Sequence, residues 1–83
     1  MSYFDDDLSI DEELEEALDE AAIGATAKRE HNDIEVHLYA PHQDNYAKAV
    51  EVAKAVMQSH SFEHEIEGDG QGHFVVKMAG YYL

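Results

Sequence analysis

A change of hydrophobic period on either side of Pro41 constrains this chain more than any other feature. Before it, IEVHLYA alternates: Ile34, Val36, Leu38 and Ala40 point one way, Glu35, His37 and Tyr39 the other. That is a strand with one buried face. Pro41 stops it. Beyond Pro41, apolar residues recur at helical spacing in NYAKAVEVAKAVMQSH, with Tyr46, Val50, Ala53 and Met57 in one row and Ala49, Val52 and Val56 beside them. Asp44 or Asn45 supplies the N-cap, and Lys48, Glu51 and Lys54 take the wet side. Alternation then returns. Phe62, His64 and Ile66 oppose Glu63, Glu65 and Glu67, and the run from Gly68 to Gly72 turns the chain. His73 to Leu83 comes back with Phe74, Val76 and Met78 on the core face and Val75, Lys77 and Ala79 opposite. The order predicts an α+β domain in which one helix packs on a three-stranded sheet. If the strands flanking that helix are parallel, the crossover is right-handed and the last strand lies between them, antiparallel to both.

Upstream, Ser9 followed by Glu12 forms a capping box, and Ile10, Leu14, Ala17, Leu18 and Ala21 make one apolar stripe. This predicts a helix over 10–23 with Gly24 as its stop, although Lys28 and Arg29 would suit the end of a longer one. Met1 to Leu8 reads as a frayed lead-in, with Tyr3, Phe4 and Leu8 available as an anchor. Residues 25–33 read as a polar connector, or as a short strand paired through a turn at His31-Asn32-Asp33. Tyr81-Tyr82-Leu83 is too apolar for a free tail and extends the last strand. Residues 1–24 are thus an acidic helical segment and residues 25–83 a compact βαββ core, the two together forming one domain.

Charge sets the first segment apart. Met1 to Ile23 holds ten carboxylates and no Lys or Arg, whereas the remainder carries nine acids against five bases. A net charge of -14 disfavours nucleic acid or an anionic membrane as a direct ligand and favours a cationic protein surface, met in a salt-dependent way. On the helix, Asp11 faces Glu15, Glu12 faces Glu16, Glu15 faces Asp19 and Glu16 faces Glu20, at a joint cost on the order of 1–2 kcal/mol. Two readings follow: a solvated acidic face, or a face that meets a basic partner. The candidate partner-binding residues are Asp11, Glu12, Glu13, Glu15, Glu16, Asp19 and Glu20. Glu63, Glu65 and Glu67, joined by Glu35, form a second acidic patch unless Lys77 and His73 neutralise it.

Chemistry of other kinds has little support. Without Cys there is no disulfide framework, thiolate nucleophile or Cys-ligated zinc. Ser59, Ser61 and the tyrosines lack a glycine elbow, and the Gly-rich tip, followed by neither a helix nor Lys-Ser/Thr, reads as a flexible turn rather than a phosphate loop. No enzyme activity and no cofactor are expected. Of the six His residues, His60 and His64 fall about 13 Å apart if they lie on a strand, too far for one metal. His37, or His64 with His73, would meet across strands, and Glu63 or Glu65 could join them, but surface or half-buried histidines without metal are the expectation. Charging all six would reduce -14 to -8 and weaken a charge-driven contact below about pH 6. No apolar run reaches the roughly 18 residues of a membrane span, so a soluble protein of a reducing cytosol is expected.

The acids of Asp5 to Glu20, together with the compact segment Asp33 to Leu83, give a small, Cys-free, strongly acidic αβ chain. It resembles the phage-encoded anti-CRISPR and anti-restriction proteins. The resemblance implies a non-enzymatic inhibitor acting in the bacterial host cytosol. It would occupy a basic nucleic-acid-binding surface of a defence complex with carboxylates in place of phosphates. The rival is an adaptor or antitoxin-like module that lays Ile10, Leu14, Leu18 and Ala21 into a partner groove. A third option, a structural protein, has that helix packed in its own core. Exposed strand edges make a homodimer credible.

Overall fold

The computed structural model describes residues 10–60 and 63–79, in the order α1 (Ile10–Glu20), β1 (Ala25–Glu30), β2 (Asp33–Leu38), α2 (Gln43–Ser59), β3 (Glu63–Gly68) and β4 (His73–Ala79). The strands form one antiparallel sheet in the order β1-β2-β4-β3. As anticipated, β4 lies between the two strands that flank α2 and is antiparallel to both. The sheet has four strands, however, not three. β1 pairs with β2 from Ala25↔Leu38 to Glu30↔Asp33 around a turn at His31-Asn32, where His31 takes φ 58°. Its alternation is carried by Ala25 and Ala27 rather than by β-branched or aromatic residues, so its propensity signal is faint. β1 forms because β2 offers a ladder and α1 a cover. Neither is local information.

Both helices cover the same face, α1 over β1 and against α2, α2 over β3 and β4. Phe74, Leu14, Leu18, Ile34, Met57, Val36 and Val76 are the largest fully buried side chains, and Ile10 joins them at 7% exposure. The apolar stripe of α1 is therefore spent inside the chain's own core, except Ala21, which is exposed. On α2, Ala49, Ala53, Val56 and Met57 are buried with Tyr46, Val50 and Val52 packed at the margin, while Lys48, Glu51 and Lys54 face solvent.

Helix ends depart from the expected caps. α1 closes earlier than residue 23, with Ala22 at φ 64°. The Ile23 N–H donates to Leu18 O at 2.8 Å and the Ala22 N–H to Asp19 O at 2.9 Å. This is a Schellman closure in which Ala22 stands where glycine is usual and Ile23 packs back into the core beside Leu18. Gly24 is not the stop; it lies two residues beyond. Because a left-handed alanine is strained, Ala22→Gly should stabilise the fold by about 0.5–1 kcal/mol, against the entropy that glycine adds to the unfolded chain. Thermal melting should show this as a rise of about 2–8 °C.

α2 begins at Gln43, which puts Asp44 in the first turn and makes His42 the N-cap in place of Asp44 or Asn45. The His42 Nδ1 accepts from the Asp44 N–H at 3.1 Å, and Asn45 Nδ2 instead donates to Ala40 O. β2 ends at Leu38, with one further bond in the same register from the Tyr39 N–H to Gly24 O at 3.0 Å, and Ala40 is exposed rather than inward. In the β3–β4 turn, Asp69 Oδ1 accepts from the N–H groups of Gln71, Gly72 and His73 at 2.8, 2.9 and 3.2 Å. These bonds, Gln71 foremost, hold its carboxyl below the usual range. The glycine-rich tip is thus organised around one carboxylate. None of the described helices is long and apolar enough to cross a membrane. The Ser9 cap, the Tyr3, Phe4 and Leu8 anchor, the acids Asp5 to Asp7, Phe62 and Tyr81-Tyr82-Leu83 lie outside the described residues.

Candidate functional site

An i, i+3, i+4 apolar stripe fixes which way α1 can face, and that divides its acids into two sets. With Ile10, Leu14 and Leu18 turned to the core, Asp11 and Glu15 fall on the side next to β1 and Glu13 on the side next to α2. The carboxylates beside β1 meet the free edge of that strand. Asp11 Oδ2 accepts the Arg29 N–H at 2.9 Å and Glu15 Oε2 accepts the Ala27 N–H at 3.1 Å. Two outward-pointing amides of an edge strand are thereby covered, which blunts the edge as a template for another chain. Glu13 holds the far end of α2, both its oxygens lying 2.9 Å from His60 Nε2. Asp11, Glu13 and Glu15 are therefore structural in placement and only half exposed.

The second set, Glu12, Glu16, Asp19 and Glu20, is exposed along the outer side of the helix. Three of these acids, Glu12, Glu16 and Asp19, line an open cleft of about 550 Å³ together with Glu15, Ile23, Gly24, Ala25 and Tyr39. Tyr39 is the one large hydrophobic residue standing exposed among those described, at 70%. Its ring lies across Gly24, where a Cβ would come within 2.9 Å of Tyr39 Cδ2. Carboxylates beside an aromatic face suit a cationic side chain, which gains charge-assisted bonds from the acids and a cation–π contact from the ring. The sequence hid Tyr39 because alternation marks it only as outward; its approach to α1 depends on the β1–β2 register.

The second acidic patch is a mixed surface. Glu63, Glu65 and Glu67 are exposed on the sheet face away from the helices, with Glu35 on the same face. Lys77 Nζ lies 3.2 Å from Glu67 Oε1 and opposite Glu65 in register, so part of the charge is neutralised. The Glu67 carboxylate, by hydrogen bond and charge, raises the Lys77 ammonium above its usual range. His64 sits on the core side opposite Met78 and does not meet His73; the residue across from His73 is His37.

No family model, curated protein or solved structure matches this chain.

Proposed function

We propose that this chain is a non-enzymatic inhibitor that docks through the outer face of α1 onto a basic, nucleic-acid-binding surface of a bacterial defence complex of the CRISPR type. The observation that carries the reading is the division of labour on α1. Its apolar stripe is buried at home, while Glu12, Glu16, Asp19 and Glu20 remain exposed beside Tyr39. Four like charges kept along one side of a short helix oppose its formation, which is intelligible where a partner supplies the missing cations. Carboxylates three or four residues apart stand about 5–6 Å from one another, a row that a channel lined for phosphates can accept. Asp11, Glu13 and Glu15 hold the helix in place, so the row is presented on a rigid element. The rival docking of Ile10, Leu14 and Leu18 into a partner groove would require the core to open first.

The test is competition. A partner captured from bacterial lysate is loaded with labelled nucleic acid, and this chain is titrated in at rising salt. Displacement should weaken steeply as salt rises. The variant Glu12→Lys/Glu16→Lys/Asp19→Lys should lose displacement by about 100-fold or more, six units of charge being reversed at the contact. Its melting temperature should hold or rise, since the Glu16–Glu20 and Glu15–Asp19 repulsions become attractions while Glu12–Glu16 only exchanges one like-charge pair for another. Undiminished displacement by the triple variant would sink the proposal.

A further inference from the structure

We propose that Glu35, His37 and His73 form a binding site for one divalent first-row transition-metal ion, Zn²⁺ being the natural occupant, on the open face of the sheet. His37 and His73 are direct cross-strand partners on β2 and β4, the two inner strands. Their rings stack with centroids 4.3 Å apart and planes 29° from parallel. Glu35, two residues before His37, projects from the same face, and its Oε1 lies 3.6 Å from His37 Nε2. One ligand atom from each of the three residues falls within 4.8 Å of the others. Tetrahedral Zn–N and Zn–O bonds of about 2.0–2.2 Å require donor separations somewhat shorter than that. Side-chain rotation closes the difference, since Glu35 and His37 are exposed and His73 is half-buried.

A second observation singles out His73. Its Nε2 is buried with no hydrogen-bond partner among the described residues. Such an atom is normally satisfied, and a cation on this face would satisfy it. The backbone beneath is well fixed: the Leu38 N–H donates to Gly72 O at 2.8 Å beside the pair, and Asp69 anchors the His73 N–H. Ligands on adjacent inner strands are better held than ligands on loops.

The donor set indicates the class of metal. Two imidazoles and one carboxylate suit Zn, Cu, Ni or Fe(II) better than Ca or Mg, which prefer all-oxygen ligands. Three protein ligands leave a coordination position directed to solvent, open to water or to a side chain of a bound partner. A chain at -14 also draws cations to its surface. The site lies on the sheet face opposite the helices, and its existence does not depend on what α1 binds.

The experiment uses the full chain without an affinity tag, stripped with chelator and titrated with Co²⁺ or Zn²⁺. Expected are visible Co²⁺ ligand-field bands saturating at one ion per chain, displacement of Co²⁺ by Zn²⁺, and a higher melting temperature with Zn²⁺. His37→Ala, His73→Gln and Glu35→Gln should each weaken binding more than about tenfold, with the apo far-UV circular dichroism unchanged. His31→Ala/His42→Ala should bind like the parent chain. Lack of saturable binding, or affinity retained in His37→Ala/His73→Gln, would overturn the site and show adventitious binding by surface acids and the other histidines.

Discussion

Deleting residues 1–23 should abolish cooperative unfolding altogether. α1 gives the core Ile10, Leu14 and Leu18, with Ile23 just beyond it, and two of these are fully buried. At about 1.5–3 kcal/mol for each buried aliphatic side chain, their joint contribution is about 6–12 kcal/mol. The total stability expected of a domain this size is about 4–12 kcal/mol. The deletion also uncovers the Ala27 and Arg29 amides that Glu15 and Asp11 accept, leaving the β1 edge open. The truncated chain should show no sigmoidal transition in circular dichroism on heating and should aggregate. A truncated chain that melts within a few degrees of the full one would mean that α1 is not part of the core. Set beside the triple lysine variant, the deletion separates two faces of one helix: the inner one that holds the fold and the outer one proposed to meet the partner.

Legibility in the sequence followed the range of the interactions involved. β2, α2, β3 and β4 were readable because their periodicity reports directly which side is buried. The place of β4 between β2 and β3 followed from connectivity. β1 was only half visible, since Ala25, Ala27 and Arg29 say little about strand formation until β2 and α1 are set against them. Local rules misplace the α1 stop for a similar reason. Gly24 is the residue that local rules select, yet the left-handed position fell to Ala22, because Ile23 must follow directly to reach the core. For the site, sequence could collect the acids of α1 but could not divide them; that needed the position of the β1 edge and of His60. The Glu35, His37 and His73 cluster was out of reach of periodicity alone. Alternation puts each residue on the right face, but the β2–β4 register that joins them is a contact between distant parts of the chain.

Gly68→Ala is expected to be the most damaging small substitution in the described chain. Gly68 closes β3 opposite Phe74. A Cβ there would lie 2.5 Å from both His73 O and Phe74 Cβ, and closer still to Tyr46 Oη. Of the three, only the tyrosine hydroxyl can swing away. The carbonyl belongs to the ladder, and Phe74 is fully buried with its ring edge-on to Tyr46 at a centroid distance of 5.6 Å. Overpacking usually costs 1–3 kcal/mol, and because the obstruction is mainly backbone the upper end applies, about 3 kcal/mol. In a domain this small that lowers the melting temperature by about 12–24 °C. Gly70→Ala provides the contrast. Gly70 adopts φ 81° but has nothing of the described residues within 4 Å of its added Cβ, so its penalty there is backbone strain, about 1–2 kcal/mol. Gly68 has no such φ, and a general preference for glycine in turns would rank the two the other way. Tyr46→Phe in the Gly68→Ala background removes the nearest clash and should restore part of the loss, measured as a coupling energy in a double-mutant cycle. If Gly70→Ala proves the worse substitution, or the cycle shows no coupling, then crowding between Tyr46 and Phe74 is not what selects glycine at position 68.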